Sequence, residues 1–487
     1  MSRYIEHWLS QSRVIAALAV LLTLLSVANL AHAVPPDAAA VPTAAAVGQT
    51  VTCQPTSTTR PQPTLPKGFT EQILYSGCLN QPTAIAFNGN KSLVFVAEKG
   101  GKIWQCDLSA APRCFLFADL GSKGEVCNDA DRGLLGLAVD PQSDGNSIYV
   151  LYTTPPAIGA SCSGDVLTHG QLSLLTGPDH ETKILPPEGS SSQTWCFFYS
   201  SHSIGDLTFG ADNKTLYVSA GEGASFIQVD NGQLDNACGD GTNLPQGAFR
   251  SQGFSPYYDG VILRIANPGT TTQSVDVVAN GLRNPFRFAR VPGITDDLYV
   301  GNVGWNDWEA IDFVSGADKI GNGKGPNFGW PCYEGWNPDN LSAAPQAAYN
   351  NPPPPDTSYC GRVVGPVAPP FFAYAHQSYV SPEDSRGRTC GGKPNRGGPD
   401  QSGSVISAIG FTDDTSATYP AQFKNALYFG DLLRQCIWTV QPANGVPVPQ
   451  TFAKGLEGGA VDLKAGPSGD LFYVDIVTST VRRITHK

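Results

Sequence analysis

The sequence predicts an all-β fold, a six-bladed β-propeller, with a disulfide-pinned loop insertion between the fourth and fifth of its strand repeats. A short apolar-aromatic strand recurs six times between residues 93 and 484, most often before a Gly/Asp/Glu turn and in several copies before a second strand. Repeated hairpin units of this kind are typical of radial β architectures. The copies are LVFVAEKGGKIW (93–104), IYVLYT (148–153), LYVSAGEG (216–223), LYVGNVGWNDWEAI (298–311), LYFGDLLRQCIWTV (427–440) and LFYVDIVTSTVRRI (471–484).

Composition supports the same fold class. The chain has 53 Gly and 39 Pro, which suits a protein dense in turns, and no segment shows a convincing amphipathic helix. An apolar content of 41% with 15% charged residues is compatible with a packed core. Because a propeller gathers its inter-blade loops around a central funnel, we expect functional residues in the loops beside the repeated strands.

The N-terminal region precedes the predicted propeller. Residues 1–33 are predicted to be a cleaved secretory signal, with Arg3 and Arg13 before an apolar run and Ala31-His32-Ala33 as the cleavage site. A retained anchor is the alternative, but the run is at the lower limit for spanning, and no second span follows. Residues 34–66 are rich in Ala, Pro and Thr and predict an extended tether. The propeller is expected over 67–487, with the insertion at 332–402.

The net charge of −11 disfavours nucleic acid and anionic membranes as partners, although the solubility of a secreted protein explains this charge equally well. The 12 cysteines predict up to six disulfides in an oxidising compartment. Cys106 and Cys114, eight residues apart around a turn, are expected to pair with each other. Cys53 is expected to bond the tether to the body of the protein. The cysteines of the insertion are expected to hold it as a lid over one face, and they are Cys332, Cys360 and Cys390. The absence of C-x-x-C and H-E-x-x-H argues against a zinc site.

Four loop segments carry residue types suited to chemistry. They are CNDADRGLLGLAVDP (127–141), HSIGDLTFGADNKTLYVSAGEG (202–223), GLRNPFRFA (281–289) and LYVGNVGWNDWEAIDFV (298–314), which runs on to NFGWPCYEGW (327–336). RGLLGLAVDP, H-x-x-G-D-L-x-F-G, GLRNPFRF and WEAID…NFGWPCYEG, which follow one another in this order along the chain, resemble the motifs of the glucose/sorbosone dehydrogenase family. The resemblance covers residues 67–486 and implies a soluble sugar dehydrogenase that uses pyrroloquinoline quinone (PQQ) on a six-bladed propeller.

The resemblance assigns roles to three residues. His202 matches the family's catalytic base, and an imidazole pKa near 6.5 suits proton abstraction around neutral pH. Arg283 matches the arginine that contacts the reactive quinone carbonyl, where a fixed cation would stabilise a developing oxyanion. Asn284 matches a residue that hydrogen-bonds the cofactor. The structural alternatives are that His202 only makes hydrogen bonds at a blade edge, and that Arg283 and Asn284 only belong to a turn closed by Pro285.

The resemblance also implies calcium. Gly304 and Trp305 fall where the family binds a calcium ion through backbone carbonyls beside the cofactor, and calcium takes six to eight oxygen ligands. Glu309, together with Asp307, could serve a second calcium. Solvated turn carboxylates explain these two residues equally well.

The chain departs from the family pattern at several positions. Ser201 replaces the aspartate that precedes the catalytic histidine in well-known bacterial members, which predicts a weaker base. Asp131 stands where those members have a sugar-contacting glutamine, and we include it among the predicted cofactor-site residues. Two arginines that bind the cofactor in those members align near Gly459 and Val461 of this chain, which has no arginine there. A cofactor-binding lysine aligns with Leu433, and the adjacent Arg434 could substitute for it.

The leading hypothesis is a secreted or periplasmic PQQ- and calcium-dependent dehydrogenase that oxidises an aldose-type hydroxyl and passes electrons to a soluble acceptor. No membrane partner is expected after signal cleavage. The second hypothesis is a non-catalytic propeller that binds carbohydrate or protein, as in hedgehog-interacting-like members of the family. The missing cofactor cations favour it. A third is a calcium-dependent lactonase-type hydrolase, although the required cluster of inward Asp, Asn and Glu ligands is not evident in the sequence.

Overall fold

The structure is a computed structural model. It describes residues 49–54, 62–89, 92–109, 112–143, 147–190, 195–225, 228, 230, 238, 247–253, 258–293, 295–305, 307–337, 342–345, 360, 363, 365–376, 378–384, 390, 403–413, 415, 418–442 and 446–487. The predicted signal peptide, much of the tether and most of the 332–402 insertion lie outside these residues. Among the residues described, no helix has both the length and the apolar character needed to cross a membrane.

Six antiparallel sheets form the blades, and the chain enters them through two N-terminal strands, β1 (Thr50–Thr52) and β2 (Phe69–Tyr75). Blade 1 contains β3 (Pro82–Phe87), β4 (Leu93–Glu98), β5 (Lys102–Asp107) and β6 (Arg113–Asp119), with β1 at its outer edge. Blade 2 contains β7 (Leu134–Val139), β8 (Ile148–Thr154), β9 (Thr168–Gly177) and β10 (His180–Leu185), and β11 (Cys196–Phe197) pairs with β9. Blade 3 contains β12 (Ile204–Phe209), β13 (Thr215–Ala220), β14 (Val261–Ala266) and β15 (Ser274–Ala279).

The second half of the ring repeats this plan. Blade 4 contains β16 (Arg287–Arg290), β17 (Leu298–Asn302), β18 (Trp308–Val314) and β21 (Phe372–Ala375). A hairpin of β19 (Tyr333–Asn337) and β20 (Ser342–Pro345) lies between the last two of these strands in sequence. Blade 5 contains β22 (Ile406–Phe411), β23 (Leu427–Asp431), β24 (Cys436–Val440) and β25 (Gln450–Lys454). Blade 6 contains β26 (Ala460–Ala465), β27 (Leu471–Asp475) and β28 (Thr480–His486), and β2 completes it.

The prediction of a six-bladed propeller is confirmed. Each of the six sequence repeats supplies the second strand of one blade, namely β4, β8, β13, β17, β23 and β27. The described helical segments are short 3₁₀ turns, at Gly247–Gln252, Ala317–Lys319 and Ala421–Phe423. The first strand of each blade contacts the first strand of the next, so β3, β7, β12, β16, β22 and β26 form a closed ring around the axis.

Arg287 occupies the centre of this ring. Its side chain is fully buried and donates to the carbonyls of Thr83 at 2.8 Å, Gly205 at 3.2 Å and Val461 at 2.7 Å. These acceptors belong to β3, β12 and β26, and Arg287 itself begins β16. One guanidinium therefore joins four of the six inner strands.

The ring closes where the N-terminal strand β2 pairs with the C-terminal strand β28 in blade 6, from Phe69 opposite His486 to Tyr75 opposite Val481. Arg482 is buried at this seam and donates to Glu71 Oε2 at 2.9 Å and to Glu457 Oε2 at 2.7 Å. The two ends of the propeller domain are therefore joined by a sheet ladder and by a buried ion pair.

All twelve cysteines form disulfides, as predicted. The pairs are Cys53–Cys78, Cys106–Cys114, Cys127–Cys162, Cys196–Cys238, Cys332–Cys360 and Cys390–Cys436. The first pair fastens the segment before β2 to the body, and the last two hold parts of the insertion. The predicted Cys106–Cys114 pair is among them. Part of the predicted tether is itself structured, since Thr50–Thr52 pairs with β6.

Candidate active site

The predicted site residues lie at one end of the inner ring. His202 precedes β12, Arg283 and Asn284 precede β16, and Asp131 precedes β7. In an antiparallel blade, the start of the first strand and the end of the second lie on the same face, so the loop after β13 reaches the same place. Glu222 in that loop donates its backbone N–H to the Arg283 carbonyl at 2.9 Å. The structure therefore brings His202, Arg283, Asn284 and Asp131 together, as the sequence predicted.

His202 is buried, with 5% of its surface exposed, and its backbone has a φ of 49°. Its backbone N–H donates to Asp131 Oδ2 at 3.2 Å, which ties the residue to blade 2. Its ring nitrogen Nδ1 pairs with Glu222 Oε1. Burial lowers the pKa of His202 below its ordinary value and the Arg283 charge lowers it further, against the opposing effects of Glu222 and Asp131. Burial and the Arg283 charge thus favour the neutral imidazole, which is the form that a general base needs.

Glu222 is the most important site residue that the sequence did not reveal. Its carboxylate is buried, with Oε1 on His202 and with Oε2 accepting the indole N–H of Trp330 at 2.6 Å. Burial alone would raise the pKa of Glu222, but His202, Arg283 and the indole together hold it below its ordinary value. The only signal in the sequence was its position in the turn after the third strand repeat.

The prediction that the base lacks an orienting carboxylate is corrected by this pair. Ser201 does not take over this role, because its hydroxyl donates to the Ala224 carbonyl at 3.2 Å. Glu222 supplies the carboxylate instead, on the Nδ1 side of the ring. An ionised carboxylate there stabilises an imidazolium and leaves Nε2 as the nitrogen for proton abstraction.

Arg283 is held on one side and has unused donors on the other. Its Nη1 donates to the carbonyls of Val303 at 3.1 Å and Gly304 at 2.5 Å, and its guanidinium lies 5.4 Å from the ring centre of Trp330. Its Nε is buried without an acceptor, and no described residue accepts from Nη2. Only 5% of the residue is exposed, so these are buried donors with hydrogen-bonding capacity to offer.

The backbone of Asn284 is hydrogen-bonded to described residues, whereas its side chain is not. Its backbone N–H donates to Asn302 Oδ1 at 3.1 Å, and its carbonyl accepts from Phe286 at 2.7 Å and Val303 at 2.9 Å. The residue is 7% exposed, and no described residue bonds its carboxamide. The backbone alone satisfies the turn, so the side-chain amide remains for a ligand.

Lys99 is a cation that the sequence analysis did not single out. It follows β4 in blade 1, and its Nζ donates to Asn128 Oδ1 at 2.6 Å. Burial lowers the pKa of Lys99 to about 8, although Asp131 and Asp129 oppose this shift. Asp131 acts on the charge of Lys99 and also accepts the backbone N–H of His202, so Lys99 lies in the same region of the protein as the base. It is therefore a candidate anion ligand that comes from a blade without a predicted site residue.

The structure corrects the predicted cofactor role of Arg434. All five of its N–H donors are directed at protein acceptors, through bonds to Ser404 Oγ and to the carbonyls of Ser378, Cys390, Ala375 and His376. The loop between β23 and β24 turns this side chain outward onto the segment around β21. Arg434 therefore cross-links blades 4 and 5 and has no donor left for a carboxylate.

The predicted calcium ligands lie in two different environments. The Gly304 carbonyl accepts one bond from Arg283 and keeps a second lone pair, and the Trp305 N–H donates to Glu334 Oε1, which leaves the Trp305 carbonyl as the predicted ligand. Glu309 is fully buried, with Oε1 on His376 at 2.7 Å and Oε2 on the Ile406 amide at 3.0 Å. Among the described residues, the only group of three His, Cys, Asp or Glu ligand atoms is Cys53, Cys78 and Cys114, whose sulfurs are in disulfides. The occupied carboxylate oxygens of Glu309 argue against its assignment as a metal ligand, whereas the assignments of the Gly304 and Trp305 carbonyls stay predictions.

Glu334 is a further titratable group beside Arg283. It lies with Arg283, Asn302 and Trp330 around a small cavity. Burial raises the pKa of Glu334 to about 7, against the effects of the Trp305 amide and the Arg283 charge. This carboxyl can therefore gain or lose a proton near neutral pH.

Blade 6 contributes no cation at the expected positions. A Cβ on Gly459 would lie 2.2 Å from Leu432 Cδ1, so the backbone there is too close to its neighbour for an arginine. Val461 is buried in β26, where its carbonyl binds Arg287. The predicted departure from the bacterial pattern is consistent with this packing.

The loop face of this six-bladed propeller thus holds a buried imidazole–carboxylate pair beside an arginine with unused donors, which are the groups expected at the active site of an enzyme. The profile of the glucose/sorbosone dehydrogenase family matches residues 79–359. The chain belongs to this family of oxidoreductases, and the predicted resemblance is confirmed.

Solved structures share the fold at low identity. A soluble aldose sugar dehydrogenase from Escherichia coli, in its apo form, is 16% identical with a TM-score of 0.53, and the match covers 86% of this chain and 100% of that one. A PQQ-bound aldose sugar dehydrogenase from Streptomyces coelicolor is 14% identical with a TM-score of 0.52 and coverages of 87% and 100%. A calcium structure of a Trichoderma reesei carbohydrate-active enzyme of family AA12 is 13% identical, with a TM-score of 0.52 and coverages of 89% and 99%. No curated protein sequence matches significantly.

Proposed function

We propose that this protein is a secreted, PQQ-dependent sugar dehydrogenase that oxidises an aldose-type hydroxyl. The observation that carries the proposal is the His202–Glu222 pair next to the unused Nε and Nη2 donors of Arg283. Family membership and the PQQ-bound relative from Streptomyces coelicolor support the choice of cofactor. Six disulfides support an oxidising compartment.

The donors of this site suit an anionic quinone. PQQ is a trianion with a reactive carbonyl, and it calls for cations and amide donors at close range. Arg283 has two unused nitrogens, Asn284 has an unbonded carboxamide, and Lys99 lies beyond Asp131. When bound, PQQ supplies the acceptor for the substrate hydride.

The protein's own residues perform the proton chemistry. His202 Nε2 accepts the proton of the substrate hydroxyl, so that electron density on that oxygen drives hydride departure from its carbon. Glu222 holds Nδ1 and stabilises the imidazolium that results. The Arg283 guanidinium stabilises negative charge that develops on an oxygen beside it. A soluble acceptor would then take up the two electrons of the hydride.

The proposal includes calcium, held by the backbone carbonyls of Gly304 and Trp305, and the calcium structure of the family AA12 enzyme supports this choice. Glu309 is not part of it, because both of its oxygens are occupied. The test compares PQQ binding, followed by absorbance, and dye reduction in the EGTA-treated protein before and after calcium is added. We expect both to increase with added calcium, and equal binding and turnover without calcium would contradict this part of the proposal.

The main test uses the purified mature protein with PQQ and a panel of aldoses, with dye reduction as the readout. We expect quinone binding at micromolar concentration or tighter, and turnover that is lost in His202→Gln. His180→Gln is the control, since His180 is exposed at the start of β10. An absence of quinone binding would overturn the proposal. If sugar or protein binding were found without it, the non-catalytic propeller of the second hypothesis would replace it.

A further inference from the structure

Trp330 contacts both Glu222, the partner of the proposed base, and Arg283. Its indole N–H donates to Glu222 Oε2 at 2.6 Å, and its ring lies 5.4 Å from the Arg283 guanidinium. We propose that Trp330 is a positioning residue. It sets the orientation of the Glu222 carboxylate toward His202, and it keeps the Arg283 guanidinium in a fixed position relative to that carboxylate. This inference rests on the proposed function, since it gives Trp330 a role in the same reaction.

The indole is suited to this role because its own backbone is held on both sides. The Trp330 N–H donates to the Gly281 carbonyl at 2.9 Å. Its carbonyl accepts from Ser251 Oγ at 2.8 Å and from Gln252 Nε2 at 2.6 Å. Only 4% of the residue is exposed. Since both the main chain and the ring are fixed, the indole N–H is a stationary donor, and the carboxylate must orient to it.

The bond to Trp330 decides which way Glu222 faces. The carboxylate has two oxygens, and the indole engages one while His202 Nδ1 engages the other. A buried carboxylate that loses a donor is left with an unsatisfied oxygen, which favours rotation or protonation. Either change removes the acceptor from Nδ1, so the imidazole would no longer be held with its proton on that nitrogen.

The ring of Trp330 has a separate function at Arg283. A guanidinium over an indole face is attracted by the ring quadrupole, and the attraction grows when the pair is removed from water. The carbonyls of Val303 and Gly304 hold Nη1 at the edge of the guanidinium. The indole face and these carbonyls together fix the plane in which the unused Arg283 nitrogens lie.

Two substitutions separate these functions. Trp330→Phe removes the N–H and keeps an aromatic face for Arg283, whereas Trp330→Leu removes both. Trp104→Phe is a matched control, because the buried indole of Trp104 donates to the buried carboxylate of Glu98 at 2.8 Å in blade 1. The control therefore also loses a buried bond from an indole N–H to a carboxylate. This bond lies in blade 1, whereas His202 precedes the first strand of blade 3.

The experiment measures the tautomer of His202 by ¹⁵N NMR of histidine-labelled protein without cofactor, with the signal assigned through His202→Gln. We expect the Nδ1–H tautomer in the wild type and in Trp104→Phe, and a shift toward the Nε2–H tautomer in Trp330→Phe. An unchanged His202 tautomer in Trp330→Phe would overturn the inference. Because no cofactor is present, this result holds whether or not the protein proves to bind PQQ.

A kinetic readout completes the test with the PQQ-loaded enzyme. Trp330→Phe should lower kcat by about tenfold, with KM for the sugar little changed, because a misoriented base affects the chemical step and not substrate binding. Trp330→Leu should in addition weaken PQQ binding through Arg283. If Trp330 serves only the core, the variants lose thermal stability to the same extent as Trp104→Phe, with kcat unchanged, and the inference fails.

Discussion

The His202 imidazole and the Glu222 carboxylate pair just beyond the open end of the β12–β13 ladder, where neither residue belongs to a strand. Ile204 pairs with Ala220 at the open end of the ladder, whereas Leu207 pairs with Val218 further along. One extra residue therefore lies in β12 between these pairs, which is the mark of a β-bulge. The ladder does not continue in register to the site, because the Gly221 N–H donates to the Ser203 carbonyl at 2.6 Å and the Gly223 N–H donates to the His202 carbonyl at 3.0 Å. His202 itself has a φ of 49°, so the two paired side chains project from loops just beyond the bulge.

Glu222→Gln should remove the charge that stabilises the imidazolium while preserving the shape of the side chain. General-base catalysis contributes about 10²–10⁴-fold, and we expect kcat to fall by about 10²-fold with PQQ affinity nearly unchanged. Steady-state dye reduction and quinone titration measure the two effects. Glu98→Gln, in a buried carboxylate bonded to Trp104, is the control and should retain kcat. Equal kcat in both variants would exclude the role of Glu222.

The acid limb of the pH profile should reflect the lowered pKa of His202. Burial and Arg283 both favour the neutral ring, so the free enzyme keeps its base below the ordinary pKa of 6.5. We expect kcat/KM to be level through neutral pH and to fall as pH drops through a value below 6.5. Since Glu222 raises the pKa of His202, Glu222→Gln should move this limb to still lower pH. A limb above 6.5 would contradict the assignment of His202 as the base.

Arg283 and Arg434 should respond in opposite ways to substitution. Arg283→Met removes unused donors and should weaken PQQ binding by about tenfold or more, since charge-assisted hydrogen bonds are worth about 1.5–3 kcal/mol. Arg434→Met breaks bonds to five protein acceptors and should lower stability, with quinone affinity retained in the folded protein. Quinone titration and thermal unfolding separate the two. Loss of affinity in folded Arg434→Met would restore its predicted cofactor role.

Lys99 should contribute to cofactor affinity although it lies outside the predicted motifs. Lys99→Met removes a cation next to Asp131, and we expect PQQ affinity to fall by about tenfold. Lys102→Met is the control on the same hairpin, where Lys102 lies over the Trp104 ring at 5.8 Å. If the two variants bind PQQ equally well, Lys99 is not a cofactor ligand.

The closure of the ring predicts a large stability effect at Arg482. Its guanidinium is fully buried against Glu71, and removing one partner of a buried ion pair costs about 3–5 kcal/mol. Arg482→Met should therefore lower the free energy of unfolding strongly in a urea titration. Arg483→Met should cost about 1 kcal/mol or less, because the side chain of Arg483 is 28% exposed beside Asp470. Similar losses in both variants would show that the seam does not depend on Arg482.

Much of the fold and part of the site followed from the sequence alone. The repeated second strands predicted six blades, because short continuous runs of apolar and aromatic residues specify strands that are buried on both faces. The positions of His202, Arg283 and Asn284 just before inner strands were also predictable, since they lie in motifs that adjoin those strands. These features are local, and local sequence is sufficient for them.

What only the tertiary structure decided depends on contacts between distant segments. The pairing of Glu222 with His202 joins two loops at one end of blade 3, and the bond from Trp330 to Glu222 joins residues that are 108 positions apart. Arg434 looked like a cofactor ligand in the sequence, but the strands on either side turn it onto carbonyls of blade 4. Strand repeats determine where loops emerge; the direction of each side chain within a loop depends on which neighbours satisfy its hydrogen bonds, and those neighbours come from other blades.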